Sequence, residues 1–356
     1  MRSKNYIYIT FVLVLLLMGV VGCSDDNGPT DPVNNNEQTF AKIITDYADL
    51  AVVATYHDLM NNAESLNASV TTFQSVSTQA NIVAACEAWK STREPWESSE
   101  AFLFGPVAFL GLDPSMDSWP LDQAQLEEVL SSDFELSPEF IRDGLGASLR
   151  GFHTVEFLLF RNGSPRNAED VTEREKEYLV AVTQVLFEDT ETLYNEWSGG
   201  YRDEYANAGG SGSRYISQEQ ALQEIVEGII AIADEVGNGK IGDPYTSKDV
   251  LSVESWFSWN SLTDYKNNIN SIENAYTGGY HNGTNGTGLD EFVAEQDAEL
   301  DARVKLEIKA AYNAINAIPE PFRNNLNADV QIQAAITACN TLVSTFEGDV
   351  KLLITN

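Results

Sequence analysis

The stretch Phe40-Ala41-Lys42-Ile43-Ile44-Thr45-Asp46-Tyr47-Ala48-Asp49-Leu50-Ala51-Val52-Val53-Ala54 decides the fold. Its apolar residues Phe40, Ile43, Ile44, Tyr47, Leu50, Ala51 and Ala54 recur every three or four positions and fall on one stripe of a helix. That spacing predicts a long first helix with a single buried face. At the far end Ile332, Ala335, Ile336, Cys339, Leu342, Val343, Phe346 and Val350 repeat the period and give another apolar face for a bundle. Between them the same reading predicts helices over 81–104, 146–160, 172–197, 217–236, 254–275 and 289–317, while strand-like alternation is nearly absent. Two glycine-rich stretches, Ser198-Gly199-Gly200 with Gly209-Gly210-Ser211-Gly212, and Gly278-Gly279 through Gly288, read as loops. The first divides the chain into segments 37–200 and 216–356, so the expected architecture is all-α, two packed helical-bundle halves.

Ahead of the first helix, Arg2 and Lys4 precede an apolar run from Tyr6 to Val21, then Gly22 and Cys23, the layout of an export signal over 1–22. The run is short for a membrane span, so cleavage is the better reading. Val20-Val21-Gly22-Cys23 resembles the bacterial lipobox, in which the cysteine is acylated and becomes the new N-terminus. Residues 23–36 carry too little apolar surface to fold and read as a tether. The expectation is a chain held by lipid on Cys23 in the bacterial cell envelope. Acidic Asp25 and Asp26, close behind the cysteine, point to the outer membrane, with the leaflet left open.

Loss of Arg2 and Lys4 leaves 19 basic residues against 54 acidic ones, a net charge of about −35. Such a charge repels phosphate backbones and anionic lipid surfaces, which excludes nucleic-acid partners and polybasic membrane contacts but suits cations. Cys86 and Cys339 lie in apolar helical patterns and read as two buried free thiols rather than a bridge.

Three segments bring chemistry into these helices. Gly151-Phe152-His153-Thr154-Val155-Glu156 places an imidazole and a carboxylate three apart on one face of an otherwise apolar helix, with Gly151 allowing close approach of another backbone. A His and a Glu so spaced can reach one metal ion, as Glu-x-x-His pairs do in helical di-iron bundles. Spacing alone fits a buried histidine satisfied by a glutamate equally well. In the segment from Arg93 to Pro106, Glu97 and Glu100 are expected on one helical face beside aromatics, with solvation or an Arg93–Glu97 pair as the bland alternative. The segment Asp113-Pro114-Ser115-Met116-Asp117-Ser118-Trp119-Pro120-Leu121-Asp122 offers three more carboxylates, which turns and caps would also explain. Of the other histidines, His57 reads as packed or partly exposed and His281 as solvated, neither with a ligand-spaced partner.

Together, Gly151-x-His153-x-x-Glu156, the upstream Arg93, Glu100-Ala101-Phe102 and Phe104-Gly105, and Trp119-Pro120-Leu121-Asp122 resemble the imelysin-like family, peptidase family M75. The run Glu254-Ser255-Trp256-Phe257-Ser258-Trp259-Asn260 through Tyr265, then Asn268-Ile269 and Ala275-Tyr276-Thr277-Gly278, is similar to that family's C-terminal pattern. It departs from it at Ser255-Trp256-Phe257-Ser258, where many members place an arginine between the serines. The resemblance implies two bundle-like helical halves, a site around His153 and Glu156 near their interface, and a link to iron acquisition. It further implies His153, Glu156, Glu97, Glu100, Asp117 and Asp113 as metal candidates, supported by Gly151, Arg93, Trp119, Asp122 and Ser255.

Carboxylates with one imidazole suit hard or borderline cations, iron first and zinc second, and the lack of a cysteine ligand disfavours copper(I) and iron–sulfur clusters. The expected function is therefore a lipoprotein that binds a metal cation at an interface of helical halves and works with iron-uptake components. It is read as a binding protein rather than an enzyme. One alternative is an M75-type zinc metallopeptidase, although His-Glu-x-x-His and a second ligand-spaced histidine are missing. Another is a heme-binding or partner-binding envelope scaffold, with Trp89, Trp96, Trp119, Trp256 and Trp259 as core or interface anchors.

Overall fold

The computed structural model describes residues 35–280 and 285–355. The expected signal peptide over 1–22, the lipidation residue Cys23, nearly all of the tether, and His281 lie outside the described residues. From Asn36 onward the chain forms one compact helical unit. Among the described residues no helix is long and apolar enough to cross a membrane.

The first apolar stripe becomes α1 (Asn35–Asp46), a π-helical stretch (Tyr47–Val53) and α2 (Ala54–Ser75). The wider π turn rotates the buried face. Tyr47, Ala48, Ala51 and Val52 are buried, whereas Leu50 and Ala54, which a strict α period puts on the stripe, are half-buried. Helix α3 (Gln79–Glu97), N-capped by Thr78, packs along α2. Short helices α4 (Pro106–Phe109), α5 (Leu112–Asp117), α6 (Gln123–Leu130) and α7 (Phe152–Leu159) lead to α8 (Glu173–Glu196), which lies on the other side of α2. Thr172 and Glu175 close a capping box on α8, worth about 1 kcal/mol.

After α9 (Arg202–Ala206), helices α10 (Gln218–Asp234), α11 (Asp243–Ser247) and α12 (Ser261–Thr277) precede α13 (Leu289–Gln296), α14 (Ala298–Asn316), α15 (Asp329–Thr345) and α16 (Lys351–Thr355). In α15 and the π turn that continues it, Ile332, Ala335, Cys339, Leu342, Phe346 and Val350 of the predicted stripe are buried, while Ile336 and Val343 are half-buried. Helix α12 packs on α3 and on the 3-10 turn Glu100–Phe102, and α10 packs on that same turn. The two sequence segments therefore meet at the carboxylate-bearing end of α3. Cys86 and Cys339 are both free and buried.

Several predicted elements change. The helix expected over 81–104 stops at Glu97, with a separate 3-10 turn at Glu100, so Glu97 and Glu100 do not share a face of one helix. The span 289–317 is two helices, because Asp297 turns its carboxylate onto the N–H groups of Glu299 and Leu300 and starts α14 afresh. Ser198-Gly199-Gly200 is not a loop. It lies in a π-helical stretch (Trp197–Tyr201) held by buried Trp197 and Tyr201. The helix expected over 254–275 begins only at Ser261, and Ser255 and Trp259 have left-handed backbone at φ 51° and 61°. The region 146–160 is helical only from Phe152, after a 3-10 turn at Ala147–Leu149.

The structure also contains a hairpin that strand alternation did not reveal. Strand β1 (Phe160–Arg161) pairs antiparallel with β2 (Ser164–Pro165) across Asn162-Gly163, at φ 50° and 76°. Gly163 donates its N–H to the Phe257 carbonyl at 2.9 Å, and a Cβ there would stand 2.2 Å from the Trp259 ring. The hairpin thus clamps the irregular segment 254–260.

Gly151 carries the sharpest backbone constraint, with φ 78° and a would-be Cβ 2.1 Å from the Met116 carbonyl oxygen. Gly151→Ala must push α7 away from α5 or distort both. We expect a loss of roughly 3 kcal/mol or more of unfolding free energy, read as a lower urea midpoint. An unchanged midpoint would refute the close approach.

Candidate metal centre

Helix α3 ends in a charged cluster sealed by its neighbours. Arg93, one turn from the helix C-terminus, is fully buried. Its guanidinium pairs with Glu97 of α3, Asp117 at the end of α5, Glu254 at 2.8 Å and Asp264 of α12 at 3.4 Å. The carboxylates are further fixed by neutral donors. Trp96 Nε1 donates to Asp117 at 2.6 Å, Asn260 donates to Asp264 at 2.6 Å, and Asn268 donates to Glu97. A guanidinium with its donors in a rigid fork is suited to gathering carboxylates from separate elements.

His153 enters this cluster from α7. Its Nδ1 lies 3.1 Å from Glu156 Oε2, and Glu156 Oε1 accepts from the Ser258 N–H at 2.8 Å and the Ser258 hydroxyl at 2.7 Å. The other ring nitrogen, Nε2, lies 3.1 Å from Asp117 Oδ1 and 3.5 Å from Glu254 Oε1. Neither oxygen is aligned for a hydrogen bond, so the buried Nε2 meets them as ion-pair contacts alone. The Trp119 ring closes the site edge-on, 4.6 Å from the imidazole centroid.

Ligand atoms of Asp117, His153 and Glu254 lie within 4.8 Å of one another, and a second group of Glu97, Glu100 and Asp117 meets the same limit. This pattern is what a metal-binding imidazole requires: one nitrogen held by a carboxylate that fixes the ring, the other facing oxygen donors. A cleft of about 390 Å³ reaches Glu100, Asp117 and Glu254 of these groups and is also lined by Asp113, Glu235, Lys240 and Asp243.

The electrostatics divide the carboxylates. Burial pushes Asp117 up, but Arg93 and His153 outweigh it and hold the group well below the usual carboxylate range. Burial likewise opposes ionisation of Glu254, yet Lys240, His153 and Arg93 bring it down to about 2. Burial wins at Glu97, which rises to about 8 despite Arg93 and Lys240, and it carries Glu100 well above its ordinary value. Asp113 rises to about 6 through burial and the charge of Asp117, and Asp264 to about 6 through burial against Arg93. His153 loses by burial but is raised well above the imidazole norm by Asp117, Glu156 and Glu254. The cluster therefore retains protons that an incoming cation would displace.

Residues 52–346 match the family model Peptidase M75, Imelysin. The chain belongs to the imelysin family. It is 30% identical to iron-regulated protein A of Synechococcus elongatus over 319 residues, covering 87% of this chain and 86% of that protein. A crystal structure from Parabacteroides distasonis, of a protein assigned as an iron-regulated protein A precursor, superposes with a TM-score of 0.83 at 34% identity, covering 89% of this chain and 95% of that one. An imelysin-like protein from Psychrobacter arcticum has the same fold, with a TM-score of 0.70 at 11% identity over 88% of this chain and 94% of its own.

In this imelysin chain Asp117 joins His153 in one close group and Glu97 and Glu100 in the other. Glu156 stands on the far side of the imidazole, bound by Ser258. Asp113 lines the cleft, outside both close groups. Asp122 caps α6 through the Gln125 N–H and has no part in the cluster. Ser255 is buried on the 254–260 segment, and His57 is exposed against the Tyr194 ring. Glu254, Asp264 and Lys240 escaped the sequence reading. Glu254 and Asp264 sit in the aromatic run already singled out, where acidic residues among tryptophans were the available signal.

Removing Arg93 would leave its carboxylates buried without their cation. We expect Arg93→Met to lose about 3–5 kcal/mol at neutral pH. Without Arg93, burial raises the folded-state pKa values of these acids above their unfolded values, so the folded form binds more protons and the deficit should shrink from pH 8 to pH 5. Chemical denaturation at both pH values checks this, and a deficit that grows on acidification would contradict it.

Proposed function

We propose that this protein binds a metal cation as cargo, through His153 Nε2, Asp117 and Glu254, with Glu97 and Glu100 close enough to complete or relay the coordination. The observation that carries the reading is the buried Nε2 with no aligned hydrogen bond, facing two carboxylate oxygens and backed through Nδ1 by Glu156. One nitrogen with oxygen donors suits iron and also accepts zinc. The relative's name, iron-regulated protein A, favours iron. We further propose that the chain serves iron acquisition at the bacterial cell envelope, anchored by lipid on Cys23 and passing its cation to uptake components.

Glu156 is assigned to orientation of the imidazole rather than to coordination. A binding role is favoured over hydrolysis because Arg93 and Lys240 already engage the carboxylates that a water-activating base would draw on.

Calorimetric titration with ferrous, ferric and zinc ions, with elemental analysis of the purified protein, tests this. His153→Ala, Asp117→Asn and Glu254→Gln should each weaken binding at least about a hundredfold, and Glu156→Gln by about ten- to a hundredfold. Wild-type protein that takes up no metal would overturn the proposal. Chelator-sensitive peptide cleavage lost in His153→Ala would replace it with the peptidase reading.

A further inference from the structure

The acidic cleft contains a cation of its own. Lys240 lies in the π-helical segment Glu235–Gly242 that continues α10, and its side chain is only 9% exposed. Its Nζ stands 2.8 Å from Glu254 Oε2, on the carboxylate whose other oxygen faces His153 and Arg93. A second partner waits farther out: Glu235 Oε1 is 3.7 Å from the same Nζ, on a side chain 55% exposed against 7% for Glu254. Among the described residues lining the cleft, Lys240 is the one cationic side chain, and it shares that lining with Glu100, Asp113, Asp117 and Asp243.

An ammonium on Glu254 and a metal ion at His153 would share one carboxylate, and their repulsion is poorly screened in so buried a place. Lysine suits a reversible role there, since it is a compact point charge on a flexible stem rather than a fork locked by several bonds. Arg93, gripped by carboxylates from several elements, cannot move in the same way. Single π-helical turns inside α-helices are also frequent at functional positions.

We infer, resting on the metal-binding reading above, that Lys240 is a tethered counter-cation: it holds Glu254 while the cleft is without metal and swings outward to Glu235 when a metal ion arrives. The exchange frees the Glu254 carboxylate for the metal ion while Lys240 keeps a carboxylate partner. It also weakens retention of the cargo, so that the ion can be handed on.

The test uses the purified full-length chain in detergent and two probes, zinc and ferrous ions added alone. Binding is measured by calorimetry for wild type, Lys240→Met and Lys240→Gln. Both variants should bind at least tenfold more tightly than wild type. Acetic-anhydride labelling of Lys240 in the wild type, read by mass spectrometry, should rise on metal addition as the amine moves outward. This arm decides the matter even if the variants fail to fold. Wild type that binds metal while the variants bind equally or more weakly, or labelling of Lys240 that stays level or falls, overturns the inference and leaves the metal-site reading standing. If neither wild type nor variants bind metal, both readings fail together. Metal binding in the variants alone would also overturn the inference, because the ammonium would then block the site rather than yield to the ion.

Discussion

One buried guanidinium organises the centre of this molecule. Arg93 draws carboxylates from α3, α5, the 254–260 segment and α12 to a single point, so elements far apart in sequence meet there. Such a cluster adds little net stability, because desolvation offsets most of its Coulomb attraction. Its effect is on geometry. Each partner must reach the same small volume, which fixes how α5 and α12 lie on α3 and leaves Asp117 and Glu254 with oxygens turned toward His153. The cation that assembles the fold is thus also the reason an anionic site exists inside it.

A second chain of contacts runs behind the imidazole. Ser258 holds Glu156, Glu156 holds Nδ1, and the Asn162-Gly163 hairpin holds the backbone that carries Ser258. Where relatives are expected to place an arginine between the two serines, this chain has Trp256 stacked on Phe257, with ring centroids 3.9 Å apart. Ser258 serves as a donor to Glu156 all the same. The segment thus reaches the histidine through Ser258 and Glu156, whichever residues stand between the serines.

The helices were legible wherever burial follows one periodic face, as in α15, because a local stripe is what a sequence records. The stripe at Leu50 and Ala54 misled, since a π turn changes the period and no residue type announces it. Glu97 and Glu100 were recognised as a pair for the wrong geometric reason: they meet around a helix end and a 3-10 turn, not along one helix. The motif His153-x-x-Glu156 fits either two ligands or a histidine satisfied by its glutamate, and the structure has Glu156 on Nδ1, with the imidazole between it and the acidic cluster. Glu254 was hidden because its approach to His153 depends on left-handed backbone at Ser255 and Trp259, which are not glycines. Pairings of this kind arise from tertiary placement and leave no local periodic trace.

The contact of Gly151 with the Met116 carbonyl has a further meaning. Met116 directly precedes Asp117, and Gly151 lies two residues before His153, so the two donors are mounted on peptide groups in van der Waals touch. Their separation is gauged by main chain against main chain, which yields less to thermal excursions than long side chains do. The missing Cβ at Gly151 is the spacer that lets the two main chains come this close, and so it sets how far Asp117 stands from His153.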